Sequence, residues 1–325
     1  MSIRTTPLLL LALTASAGTA EARSFLKPLA LSSDNYGESY SFIADLEDGG
    51  YLLLQLGVSN VGPGSGHGIC RALYVAANAG PWTANTIVGS GDWGFKDEGG
   101  EERLSIGPCD ARIGKDATTI RVPLEGARME LKIEGRPASI MPPGAHMKIA
   151  GGQHRSEIWF PAAKAEATIQ PKDGEAKQVK GVAYGDHSCS DVDPGKIAKR
   201  WVRFRALRAE VPVLILGRED PSGAFGPVWM RSGADFSQLT RYEVARSGDK
   251  AKPALTINLS AGDKKLEIKS ERFLFRYAPV EEIGAIGSII APFVGAPTSF
   301  TMRATLTDGD KKIPGLLEVE YAKDE

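Results

Sequence analysis

The sequence predicts an all-β protein made of two tandem antiparallel β-barrels, on three observations. Glycine and proline, 37 and 20 of the 325 residues, punctuate short runs rich in Val, Ile, Leu and aromatic residues, the pattern of strands joined by turns. Few windows of a dozen residues carry apolar positions at the helical period. Last, the second half of the chain repeats the order of the first.

The repeat has three parts. FIADLEDGGYLLLQLG (Phe42 to Gly57) resembles FRALRAEVPVLILG (Phe204 to Gly217). Thr119-Ile120 followed by Glu130-Leu131-Lys132 recurs, at the same spacing, as Thr256-Ile257 followed by Glu267-Ile268-Lys269. The closing hairpin Asp173-Gly174 … Gly181 recurs as Asp308-Gly309 … Gly315. One match means little, but three in the same order indicate a duplication, with longer loops in the first copy. An antiparallel unit of about eight strands protects its edges best by closing into a barrel, and a barrel of that size is just wide enough for one small ligand.

In the first copy, strands are expected at Ser39–Leu46, Tyr51–Val58, Ile69–Ala76, Thr118–Val122, Arg128–Ile133, Ser156–Pro161, Ala165–Gln170 and Lys177–Tyr184. Asp48-Gly49 and Asp173-Gly174 mark tight hairpins, because glycine accepts the positive φ such turns need. Asp, Pro and Gly interrupt the pattern between Asp191 and Lys199. The chain therefore divides into a leader (1–22), a first barrel (23–195) and a second barrel (196–325). Ile283–Val294 (IGAIGSIIAPFV) departs from the pattern; it reads either as a short core helix or packed loop, or as an apolar lid.

The leader has Arg4, an apolar run from Pro7 to Ala17 and Ala20-Glu21-Ala22, the form of a cleaved signal peptide. Beyond it no segment reaches the ~18 consecutive apolar residues of a membrane-spanning helix. A soluble, exported protein, periplasmic or secreted, is expected. The net charge is −1 with both signs mixed along the chain, which argues against a nucleic-acid partner. Three cysteines allow one disulfide, with Cys70 and Cys109 the candidate pair and Cys189 left as a thiol. No His/Cys cluster has metal-ligand spacing, so no metal is expected.

Chemistry concentrates in Gly181–Leu207, GVAYGDHSCSDVDPGKIAKRWVRFRAL. Tyr184, Asp186 and His187 stand close in sequence, followed by the cation- and aromatic-rich Arg200, Trp201, Arg203, Phe204 and Arg205. A carboxylate beside an imidazole can act as a proton-transfer pair, the Asp fixing the His tautomer and raising its basicity; the same two residues can equally form a buried structural clamp. Trp159 (in SEIWF) and Trp229 (in PVWM) are expected to face a barrel interior and, with Arg200, Trp201 and Arg203, to touch a ligand.

The motif VKGVAYGDHSCS…KRWVRFRAL resembles the Y-x-D-H segment and following aromatic strand of the AttH and carotenoid 1,2-hydratase (hydroxyneurosporene synthase) group. The stretch SYSFIADLEDGGYLLLQLGVSNVGPGSGHGICRALYV is similar to the first strands of the fungal survival-factor proteins. These families share a tandem lipocalin-like fold, so the resemblance implies lipocalin-like barrels. It also implies a range of functions: hydration of an isoprenoid double bond, pericyclic cyclisation in a cavity, lipid binding, or survival under oxidative stress. By the match, Asp186 is the proton donor for hydration, His187 orients it and Tyr184 hydrogen-bonds nearby. Ser188-Cys189-Ser190 stands where hydratase-like proteins continue with Asn/Gln-Trp-Gly. The expected function is binding of an apolar small molecule (a lipid or isoprenoid) in a barrel cavity or at the barrel junction, with a cavity hydratase or cyclase as the alternative. No cofactor is implied.

Overall fold

The computed structural model describes residues 24–61, 65–149, 151–262, 264–278 and 297–323; the leader and the Ile283–Val294 segment lie outside them. The first copy comprises β1 (Gly37–Leu46), β2 (Tyr51–Ser59), β3 (His67–Val75), β4 (Pro81–Val88), β5 (Trp93–Glu98) and β6 (Glu101–Ile106). It continues through β7 (Cys109–Ile113), β8 (Ala117–Leu124), β9 (Ala127–Glu134), β10 (His146–Ile149), β11 (Gly152–Gln170) and β12 (Lys177–Ser190). A single helical turn, α1 (Pro194–Ile197), follows, capped by the Asp193 side chain accepting from the Gly195 amide. The second copy comprises β13 (Arg200–Ala206), β14 (Val213–Glu219), β15 (Phe225–Ser232), β16 (Asp235–Gln238) and β17 (Arg241–Gly248). It ends with β18 (Pro253–Ala261), β19 (Lys264–Tyr277), β20 (Thr298–Asp308) and β21 (Lys311–Tyr321).

All strand pairs are antiparallel, and the two sheets share one order. The first runs β4-β3-β2-β1-β12-β11-β9-β8-β7-β6-β5, a nearly closed barrel, with β10 hung on β11. The second runs β16-β15-β14-β13-β21-β20-β19-β18-β17 and curls only into a half-barrel. The three repeated sequence segments fall on equivalent strands: β1–β2 and β13–β14, β8–β9 and β18–β19, and the β11–β12 and β20–β21 hairpins. The extra hairpin β5–β6 is what takes the first sheet closer to closure. Two conserved features of the copies sit at one place. A Cβ on Gly181 would lie 2.6 Å from the Asp45 carbonyl oxygen, and one on Gly315 would lie 2.7 Å from that of Arg205.

The all-β architecture is the one expected, with three differences. β4 to β7 fill a region the sequence leaves without strands. β5 shows why: only Trp93 and Phe95 are partly buried against the core and the rest is exposed, so its alternation stops after two apolar residues. Ser156–Pro161 and Ala165–Gln170 are one long strand, β11, with register shifts between Ile158 and Ala163 that bend it around the barrel. The second sheet is a half-barrel, not a closed barrel.

Alternation along each strand builds three apolar layers. Tyr40, Phe42, Leu54, Leu56, Ile120, Leu131 and Trp159 fill the first barrel. Val202, Phe204, Ile257, Ile268, Phe300 and Leu317 cover the concave face of the second sheet. Between the two sheets, Ile43, Tyr51, Leu73, Ile158, Tyr184, Leu214, Trp229 and Leu316 form a third cluster. Arg303 also joins the sheets: its Nη1 donates to Asp45 at 2.6 Å and its Nη2 to the Gly49 and Gly50 carbonyls. Cys70 and Cys109 are joined by a disulfide inside the barrel, and Cys189 is a buried free thiol.

Candidate functional site

Strand β12 carries the Tyr184-Gly185-Asp186-His187 motif, and its two-residue period decides what the motif can do. Adjacent side chains of a strand leave on opposite faces. His187 therefore points into the first barrel, while Tyr184, Asp186 and Ser188 point at the second sheet. The expected Asp186–His187 proton-transfer pair does not form.

His187 has other partners. Its Nε2 lies 2.7 Å from Glu38 Oε1 and its Nδ1 3.1 Å from Glu157 Oε1. Its ring packs against both Tyr40 (4.8 Å between centroids) and Trp159 (5.3 Å), which touch each other at 5.6 Å. Glu38 also accepts from the hydroxyls of Tyr36 (2.5 Å) and Tyr40 (2.8 Å) and from the Leu29 amide (2.8 Å). Glu157 accepts from Ser139 at 2.7 Å. Burial alone would lower the His187 pKa, but its hydrogen bonds to Glu157 and Glu38 and their charges outweigh it and raise the value. Burial works against the Glu38 charge, and the bonds from His187 and Tyr36 overcome it and lower its pKa. An imidazolium held by a carboxylate at each nitrogen has both donors engaged. This is a structural clamp at the barrel's open end, tying β1, β11, β12 and the segment before β1. The clamp's own Glu38, Glu157 and His187 border a cavity of about 590 Å³, together with Phe25, Lys27 and Arg155.

The opposite face of β12 borders a cleft between the sheets. Its two lobes, of about 330 and 240 Å³, share Asp186, Ser188, Arg203, Arg205 and Glu320. The first lobe adds Ser39, Ser41, Gln55, Arg71, Phe275 and Tyr277; the second adds His154, Ile158, Tyr184, Trp201, Leu216 and Trp229. Arg203 donates to Glu320 (2.8 Å) and Glu318 (3.3 Å), and Arg205 to Glu318 (2.9 Å). Arg205 also lies over the Tyr184 ring, 4.7 Å from its centroid. Asp186 forms no ion pair among the described residues. Burial raises its pKa above the ordinary aspartate value, and Arg205, Tyr184 and Arg203 only partly offset that. Burial, with the positive charges of Arg203 and Arg218, pushes His154 down to about 4, which leaves it neutral. Two polar atoms here have no hydrogen-bond partner, His154 Nδ1 and Trp229 Nε1.

The other expected ligand contacts divide the same way. Trp201 and Arg203 reach the cleft. Arg200 does not: one residue out of phase, it turns to the concave side of the second sheet, 5.1 Å from the Tyr321 centroid and 3.5 Å from Glu219. Trp159 lies in the first barrel's core, whereas Trp229 faces the cleft and no barrel interior, since β15 presents it to the first sheet. Sequence reasoning missed Glu38, Glu157, Arg71, Glu318 and Glu320 as site residues, and noted Arg205 only within the cation-rich stretch. A readable signal existed for Glu38, a carboxylate in phase with the inward Tyr40 and Phe42.

No family model matches the chain, and no curated protein matches it. Solved structures do match. The chain is similar to an AttH protein from Nitrosomonas europaea, at 13% identity over 93% of this chain and 97% of that one, with a TM-score of 0.62. It is similar to kievitone hydratase from Nectria haematococca at 11% identity, over 88% and 89% of the two chains, TM-score 0.58. It is also similar to CghA at 12% identity, over 90% and 89%, TM-score 0.61. At such identities the likeness is one of fold, and it extends over both sheets: the chain has the tandem lipocalin-like fold of these proteins.

Proposed function

We propose that this protein binds a small, partly apolar organic molecule in the cleft between its two sheets. The observation that carries this reading is the contrast between the two faces of β12. On the barrel side core side chains fill the axis, and where the clamp borders a cavity its imidazole and carboxylates are already bonded to one another and to Tyr36, Tyr40 and Ser139, with Trp159 Nε1 alone left over among the described residues there. On the cleft side, charged and hydrogen-bonding groups without partners border space, and Ile158, Leu216 and Trp229 supply an apolar wall. Structural neighbours support it: one is a hydratase, and another has been crystallised with the compound Sch210972. The Met1–Ala22 leader supports export, and Arg23 is then the expected N-terminus of the mature protein.

A second reading rests on Asp186. Adding water to an alkene needs a proton donor, and a carboxylic acid kept neutral away from bulk solvent supplies one and takes a proton back from the water that adds to the cation; burial holds Asp186 in that direction. Here Asp186 would donate the proton to the substrate carbon, with Arg205 and Tyr184 fixing the geometry.

Native mass spectrometry tests the first reading. Protein purified from its own host is expected to carry an organic species that Asp186→Asn retains and Ser41→Trp, which fills the first lobe, expels. A species retained by Ser41→Trp would place the ligand elsewhere and overturn the reading. The second reading requires Asp186→Asn to bind that species and leave it unconverted; unchanged turnover would eliminate it.

A further inference from the structure

Three arginines line the first lobe of the cleft, and they are not equivalent. Arg203 and Arg205 are matched by Glu318 and Glu320. Arg71, on β3 with Gln55 beside it on β2, has no hydrogen bond and no ion pair among the described residues. It is nonetheless only 7% exposed. Its guanidinium carbon lies 3.3 Å from the Tyr277 ring centroid and 6.0 Å from that of Phe275. A distance as short as the first requires the two planes to stack. The five N–H donors lie in the guanidinium plane, so they point sideways past the ring and remain unused. Those donors border the open space of the lobe, where an acceptor can reach them.

The surroundings favour an anion of one kind. Ser39, Ser41 and Gln55 line the same lobe. Gln55 Nε2 donates to both serine hydroxyls, and one serine donates to the other across 3.3 Å, which leaves one hydroxyl proton for another partner. A guanidinium fork matches the two oxygens of a carboxylate. Glu318, on the far side of the lobe, feels the charge of Arg71 and repels a second negative charge, which disfavours a dianion such as phosphate.

We propose that Arg71 is the anchor for a carboxylate, and that the ligand of the cleft is an organic acid: its head group on Arg71, Ser39 and Ser41, its apolar part directed toward Ile158, Leu216 and Trp229. This rests on the cleft-binding reading and narrows it to a chemical class.

The test compares cis-parinaric acid with its methyl ester, which differ only in the carboxylate, by probe fluorescence and by quenching of tryptophan emission. Wild-type protein is expected to bind the acid on the order of tenfold to a hundredfold more tightly than the ester, the range of a charge-assisted hydrogen-bonded pair. Arg71→Met should abolish the preference, and Arg71→Lys should keep part of it. Equal binding of acid and ester by the wild type overturns the proposal without needing any variant, and so does a preference that survives Arg71→Met. Ester binding that Ser41→Trp abolishes would, in that event, leave the cleft reading standing. Failure of the wild type to bind either probe would remove both.

Discussion

Replacing His187 with alanine leaves Glu38 and Glu157, with side chains 0% and 3% exposed, buried against each other with no cation between them. Breaking a buried pair from one side costs about 3–5 kcal/mol, because the stranded charge has lost its solvent and its partner together. Loss of the ring packed against Tyr40 and Trp159 adds about 0.5–1.5 kcal/mol for each contact. Urea unfolding followed by far-UV circular dichroism and tryptophan emission measures the sum, with Trp159 as a reporter beside the mutated ring. The pH dependence gives a sharper signature. The His187 pKa is raised in the fold, so its contribution is whole below the ordinary value of 6.5 and is lost as pH rises through the folded value. The Glu38 pKa is lowered, so its contribution is whole above the ordinary value of 4.5 and is lost as pH falls through the folded value. The stability difference between wild type and His187→Ala should therefore peak between about pH 5 and 6.5 and shrink on both sides. Adding Glu38→Gln and Glu157→Gln to His187→Ala should recover part of the loss, since the stranded charges go. A deficit under about 1 kcal/mol, or one flat from pH 5 to 9, would refute the clamp.

Three further outcomes are expected. Cys70→Ser with Cys109→Ser opens a loop with a sequence separation of 39 and should cost about 2–4 kcal/mol in thermal or urea unfolding. Gly181→Ala and Gly315→Ala each push a methyl group into a carbonyl oxygen of the neighbouring strand and should destabilise by about 1–3 kcal/mol, whereas Gly94→Ala, whose Cβ meets nothing within 4 Å, should be neutral by the same assay. If Asp186 donates a proton, turnover of the extracted ligand should fall as pH rises through its raised pKa; a rate that climbs over that range would exclude the role.

How much of this was legible in the sequence follows from which signals are local. The duplication was, because a glycine that must lie against a carbonyl and a two-residue hairpin impose their sequence wherever they occur. The β4–β7 region was not: β5 carries only two apolar residues in alternation, Trp93 and Phe95, and β6 buries the charged Glu102 beside Leu104 and Ile106, so neither reads as an apolar strand. The site was half legible. Tyr184, Asp186 and His187 stood out as a cluster, but adjacency in a strand is separation in space, and reading them as one group ignored that. The true partners of His187 come from β1 and β11, far off in sequence. Arg71 gave no sign at all, since nothing local distinguishes an arginine paired across a sheet from one that faces an empty lobe.

The duplication also explains why the cleft is where it is. Aligning Gly181 with Gly315 sets Tyr184 against Glu318, Asp186 against Glu320 and His187 against Tyr321, and sets Ile43 and Asp45 against Arg203 and Arg205. The two copies face each other with the same side of equivalent strands, so every divergence at an outward position appears in the cleft. The second copy carries Arg203 and Arg205 where the first has Ile43 and Asp45, and Asp186 of the first copy lines the same cleft as those arginines. Inward positions diverged for a different reason. Tyr321, packed on Phe300 at 6.1 Å, closes an apolar face in the half-barrel, while His187 needs Glu38 and Glu157 to be buried at all. A residue that demands two buried carboxylates serves the fold of its own copy; the residues that face the other copy without partners are the ones left for a ligand.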